Sequence, residues 1–180
     1  MLDKFDSWFD YMYYMYNNEK KNEEDVFNKK NINILTSYDK YFMQLAKITA
    51  QRSQDPNTKV GACIVKDNNV LSLGYNSTPK NFNFIIPKEN STSLKNSKNT
   101  YMCHAEINAI LNYKGNISDF NNSIIYVTHS PCHECAKILV QAGIKKVYYD
   151  IEYHNTEIWN ISKFILDECG IEYKQLKYDY

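Results

Sequence analysis

One imidazole and two thiols, His104 with the pair Cys132 and Cys135, constrain this chain more than any other feature. The imidazole sits in Cys103-His104-Ala105-Glu106, which puts a carboxylate two residues beyond it. The thiols sit in Pro131-Cys132-His133-Glu134-Cys135. A fold that lets these donors share an ion must carry two distant segments to one point. Three nitrogen and sulfur donors leave one corner of a tetrahedral zinc ion open, as in catalytic sites; structural sites close that corner with a fourth side chain. Two plainer readings compete: a structural Cys/His knuckle, or a Cys-x-x-Cys pair that only neighbours a core histidine.

Local geometry narrows the choice. Residues i and i+3 share a helix face, so Cys132 and Cys135 can grip one ion if a helix begins at Pro131. His104 and Glu106 are i and i+2, which a regular helix turns apart. They converge only if His104 stands at the very start of its helix, before the backbone becomes helical. Both donor groups then lie at helix N-termini, where partial positive charge favours thiolate and hydroxide. His129 and His133 are not needed as ligands and read as loop or packing residues.

The rest of the chain supplies strands and helices around this pair. Leu2, Phe5, Phe9, Met12, Tyr13 and Tyr16 follow a helical period, and a charged linker continues to residue 35. Thr36 or Ser37 caps a second helix, with Tyr41, Phe42, Leu45, Ile48 and Thr49 on one face and Pro56 marking its end. Thr58–Lys66 and Val70–Tyr75 read as a hairpin joined at Asp67-Asn68-Asn69. Residues 76–101 form a long loop, of a length that is usually functional or disordered. The His104 helix runs to about Tyr113. The strand Ile124–Thr128 then feeds the Cys132 helix, which Gly143 ends. Lys146–Tyr149 (strand), Thr156–Glu168 (helix) and Ile171–Leu176 (strand) complete a mixed sheet with helices on both faces.

Composition excludes more than it suggests. Twenty-one basic and 21 acidic residues cancel, which gives no basis for a nucleic-acid or membrane partner. No apolar run approaches a membrane span and no signal peptide opens the chain, so a cytoplasmic protein is expected. In a reducing compartment Cys63, Cys103 and Cys169 stay free, as small buried hydrophobes. Lysine outnumbers arginine 20 to one. That one, Arg52, offers a planar fork suited to a phosphate, or equally to a surface ion pair.

Over roughly residues 37–176 these segments resemble the deoxycytidylate (dCMP) deaminases of the cytidine-deaminase-like superfamily. The resemblance is carried by Tyr41-Phe42-Met43, Gln51-Arg52-Ser53-Gln54-Asp55-Pro56-Asn57, Val60-Gly61-Ala62-Cys63-Ile64-Val65 and Gly74-Tyr75-Asn76. The two zinc motifs and Gln141-Ala142-Gly143-Ile144-Lys145 add to it. It implies an α/β, three-layer cytidine-deaminase-like fold with a mixed five-stranded sheet over residues 36–180, after an N-terminal extension of residues 1–35. It implies one zinc per chain on His104, Cys132 and Cys135, with Glu106 as the catalytic proton carrier between water, N3 and the amine on C4 of cytosine. Ala105 would meet the base carbonyl through its N–H, Asn76 the sugar hydroxyl and Arg52 the 5′-phosphate. Taken without the resemblance, Asn76 is simply a turn residue after a strand.

The expected activity is hydrolysis of dCMP to dUMP and ammonia by a homo-oligomer. The alternatives are a deaminase of another cytosine nucleotide or nucleoside, a tRNA adenosine deaminase, or a catalytically silent zinc-binding subunit. A silent subunit should have lost the proton carrier, yet Glu106 is present. Relatives usually read G-Y-N-G-x-P-x-G-x-x-D after the hairpin, in a loop that serves regulation by dCTP and dTTP. Ser77, Asn81 and Phe84 replace two glycines and the aspartate. The resemblance therefore carries no expectation of that regulation here.

Overall fold

The computed structural model describes residues 38–83, 97–153 and 156–177. The expected extension 1–35, the caps Thr36 and Ser37, and Phe84 lie outside the described residues. The chain divides into two compact units, Met1–Lys40 and Tyr41–Tyr180, and the sheet belongs to the second.

Helix α1 (Tyr38–Ala50) leads to the hairpin β1 (Gly61–Lys66) and β2 (Asn69–Tyr75). After them come α2 (Ala105–Asn112), β3 (Ile124–His129), α3 (His133–Gln141), β4 (Lys146–Ile151), α4 (Thr156–Glu168) and β5 (Glu172–Gln175). The five strands are ordered β2-β1-β3-β4-β5. β1 runs antiparallel to both its neighbours, while β3, β4 and β5 are parallel. The hairpin turn is two residues long: Asp67 (φ 50°) and Asn68 (φ 60°) are both left-handed, the geometry whose twist matches the flanking strands. Asn69, expected in the turn, instead pairs with Lys66 as the first residue of β2.

Strand alternation sorts the core into two layers. Ala62, Ile64, Ile125, Val127, Val147 and Tyr149 pack with Ala105 and Ala109 of α2, Ala136 and Leu139 of α3, and Trp159 and Leu166 of α4. Cys63, Val65, Tyr126 and Tyr148 pack on the other side with Phe42, Met43 and Ala46 of α1. The expected three-layer α/β architecture is therefore present. Parallel strands need crossover connections of one hand, and strand order advances from β3 to β5, so α3 and α4 fall on the same face.

Two glycines set how closely helices approach the sheet. A Cβ on Gly61 would lie 2.0 Å from the Ala46 carbonyl oxygen, and one on Gly74 2.2 Å from the Ala109 nitrogen. Backbone packs on backbone at both places, so α1 and α2 present alanines there. This corrects the expected face of α1: Tyr41 (46% exposed) and Ile48 (66%) point outward, while Phe42, Met43, Ala46 and Ala50 are buried. Cys169 is also corrected, since it lies exposed after α4, whereas Cys63 is buried and Cys103 half-buried.

Candidate active site

Helix α2 is held against β2 near its middle. Ser72 donates its hydroxyl to the Ala109 carbonyl (2.6 Å), and the Asn108 amide donates to the Tyr75 carbonyl (2.8 Å) and to Ser77 Oγ (3.1 Å). Just upstream, Ser77 and Cys103 exchange backbone hydrogen bonds in an antiparallel bridge. His104 is next, as the N-cap of α2, with extended backbone (φ −73°, ψ 154°), as convergence with Glu106 requires. α3 begins similarly. Cys132, not Pro131, stands just outside the helix as its N-cap (φ −73°, ψ 169°), and Cys135 lies in the first turn.

The donors meet between these helix starts. His104 Nδ1 lies 3.5 Å from Cys132 Sγ and 3.3 Å from Cys135 Sγ, and all three atoms fall within 4.8 Å of one another. At ordinary Zn–N and Zn–S lengths, a tetrahedral ion keeps such donors about 3.6 Å apart. The trio thus fits zinc in both spacing and softness. Among the described residues no other group of three metal-binding side chains gathers in this way. His129 Nδ1 lies 3.2 Å from Thr128 Oγ1 and His133 Nε2 3.2 Å from Glu134, so neither joins the trio.

The three groups bias one another's protons. The Cys132 thiol falls to about 4, chiefly through its bond with Cys135, against burial and with help from His104. His104 rises to about 9 through its bond to Cys132, against burial. Cys135 is pushed up by its bond to Cys132 and by burial. Glu106 is 4% exposed and stands beside the trio; burial pushes its carboxyl up, and the His104 charge opposes that only in part. A buried carboxylate with raised proton affinity, next to a three-donor metal site, can both accept and return a proton. Ala105 is fully buried at the first position of α2, where its N–H is among those without an intrahelical acceptor.

Residues 36–151 match the family model described as the cytidine and deoxycytidylate deaminase zinc-binding region. The chain belongs to this deaminase family. This deaminase is 38% identical to the deoxycytidylate deaminase of Homo sapiens over 139 residues, 75% of this chain and 77% of that one. It is 40% identical to the probable deoxycytidylate deaminase of Drosophila melanogaster over 147 residues, covering 77% and 71% of the two chains. Among solved structures, it is similar to the dCMP deaminase of the cyanophage S-TIM5 in complex with dCMP and dUMP. That likeness has a TM-score of 0.61 and 33% identity over 76% of this chain and 94% of the other.

Two further site residues expected of the deaminase, Asn76 and Arg52, sit in different surroundings. Asn76 is buried just past β2, and its amide is heavily used. Nδ2 donates to the Thr58 carbonyl (2.9 Å) and to Asp55 Oδ2 (3.4 Å), while Oδ1 accepts from the Val60 N–H (2.8 Å). Arg52 lies exposed in the turn after α1, and among the described residues its guanidinium makes no hydrogen bond or ion pair. The structure does not join it to the metal trio. One buried group escaped sequence reasoning: Lys98, 4% exposed, whose ammonium donates to both oxygens of Asp55 at 2.7 and 2.8 Å. Nothing marks Lys98 among 20 lysines, although Asp55-Pro56-Asn57 does signal a carboxylate that caps its own turn.

Proposed function

We propose that this deaminase hydrolyses dCMP to dUMP and ammonia, with about one zinc per chain held by His104, Cys132 and Cys135. The observation that carries this reading is Glu106, a buried carboxylate of raised proton affinity beside the trio. The dCMP and dUMP bound to the similar cyanophage enzyme support the choice of substrate.

When bound, zinc supplies a Lewis acid that lowers the pKa of water toward neutrality. Glu106 takes a proton from the attacking water and delivers it to N3 of the base as the C4–O bond forms. It then passes the second proton to the amine, so that the C4–N bond breaks, the C4 carbonyl forms and ammonia leaves. The N–H of Ala105 orients the base through its carbonyl. Asn76 meets the sugar hydroxyl with the Oδ1 lone pair that Val60 does not use. Arg52 holds the 5′-phosphate, a role its exposed fork suits better than a lysine would. The working form is a cytoplasmic homo-oligomer. Among the described residues no helix is long and apolar enough to cross a membrane.

Ammonia release from dCMP, CMP, deoxycytidine and a short RNA tests the reading. dCMP should be turned over with the highest kcat/KM. Preference for the RNA, for the free nucleoside or for CMP would replace it with one of the alternative deaminases. Silence toward all four would indicate a zinc-binding subunit.

A further inference from the structure

Asp55 is the hub of a buried polar network that lies apart from the metal trio. Its Oδ1 accepts the N–H groups of Asn57 (2.8 Å) and Thr58 (3.0 Å), which folds residues 55–58 into a tight turn. Both oxygens receive Lys98 Nζ, and Oδ2 also meets Asn76 Nδ2. Ser53 closes the ring: its hydroxyl donates to the Asn76 carbonyl (2.8 Å) and accepts the Asp55 N–H (3.2 Å). The paired side chains are only 5% and 3% exposed.

Three segments therefore meet at one carboxylate. The first is the turn that carries Arg52, three residues before Asp55. The second is the segment just past β2, which begins with Asn76. The third is the 3-10 turn Lys98–Thr100, from which the chain passes through Tyr101 and the Ser77-bridged Cys103 into His104. A buried ion pair is poor at adding stability, because desolvating two charges offsets most of their attraction, and an apolar pair of similar volume would often serve the fold as well. What the pair adds is connection: one ammonium bonds both oxygens of the carboxylate that also receives the Asn57 and Thr58 N–H groups and the Asn76 amide, so the Lys98 segment is tied to both others.

We infer that Lys98 is a positioning residue for the nucleotide: its ammonium locks the Arg52 turn and the Asn76 amide onto the segment entering His104, and so sets how phosphate and sugar sit over the metal site. The inference rests on the proposed roles of Arg52 and Asn76. Lys98 itself touches neither substrate nor metal and acts through Asp55.

The test uses the full-length, zinc-loaded protein and two variants, Lys98→Met and the double variant Lys98→Met/Asp55→Asn. The double variant removes both charges together and keeps an acceptor for the Asn57 and Thr58 N–H groups. Each variant should raise KM for dCMP and Kd for dUMP by roughly tenfold or more, leave kcat within about threefold and retain zinc. A purely structural role would instead lower the active fraction, reducing kcat with KM unchanged. That pattern overturns the inference, as does wild-type KM in the double variant. Should Lys98→Met fail to fold around its unpaired carboxylate, the double variant decides; loss of zinc there would also overturn the inference, making Lys98 part of the metal scaffold. A wild-type protein that ignores dCMP defeats the substrate reading itself, which keeps the two failures distinguishable.

Discussion

Replacing Gly74 with alanine should damage the active site through the fold alone. The added Cβ would lie 2.2 Å from the Ala109 nitrogen and 2.3 Å from the Ala105 carbonyl oxygen, where ordinary contact begins at 3.4 Å. Both neighbours are backbone, so no side chain can swing aside, and α2 must retreat by about 1 Å from β2. Overpacking of this kind costs about 1–3 kcal/mol, which in a chain this long lowers Tm by roughly 2–12 °C. The same retreat moves His104 and Glu106 away from Cys132 and Cys135, which ride on α3. A misplacement of about 1 Å can cost roughly 100-fold in turnover, and zinc affinity should fall with it. Gly170→Ala is the control: its φ of +65° strains an alanine, but nothing lies within 4 Å and α2 is untouched. It should cost about 1–2 kcal/mol while zinc content and turnover persist. Melting curves, zinc analysis and dCMP turnover read both variants. A Gly74→Ala protein with wild-type turnover would refute the claim that close packing of α2 on β2 sets the site.

Arg52→Ala should lower kcat/KM for dCMP by roughly one to two orders of magnitude, from lost charge-assisted bonds of about 1.5–3 kcal/mol each. Activity on deoxycytidine should hardly change, and equal losses on both would remove Arg52 from phosphate binding. Cys103→Ala should keep zinc and Cys132→Ala should lose it, as read by elemental analysis; the opposite outcome would mean the wrong thiols are assigned. For Asp55, burial alone would raise the carboxyl, but Lys98 and the N–H groups of Thr58 and Asn57 hold it below the ordinary 3.8. A folded value below the unfolded one means this stabilisation is complete above about pH 3.8 and fades as pH falls through the folded value. The Lys98→Met/Asp55→Asn variant should therefore lose less stability than wild type on acidification below 3.8, and parallel acid titrations would contradict this.

Much of the fold and site was legible because it is local. Short apolar runs rich in β-branched residues at Ala62–Val65 and Ile124–Val127 mark buried strands, and the two zinc motifs announce helix starts that only need to be brought together. What stayed hidden depends on contacts between distant segments. Tyr41 and Ile48 look like a core stripe on α1, but close approach to Gly61 selects the small Ala46 and Ala50 and turns the larger side chains outward. Lys98 is one lysine of many in a polar loop, and only the fold reveals that it is buried against Asp55. Asn76 reads as a ligand through the family resemblance, and the structure adds that its amide also ties Thr58 and Val60 to the end of β2. Cys169 differs because it comes after the last turn of α4, where nothing covers it.

The central claim is that Glu106, set beside a zinc-holding trio, moves the protons of dCMP deamination. Turnover of dCMP by wild type and by Glu106→Ala, each with its zinc measured, tests this most directly. The expected result is dUMP and ammonia from wild type, and a variant that keeps about one zinc per chain while turning over at least about 100-fold more slowly. A zinc-loaded Glu106→Ala protein that deaminates dCMP at the wild-type rate would contradict it.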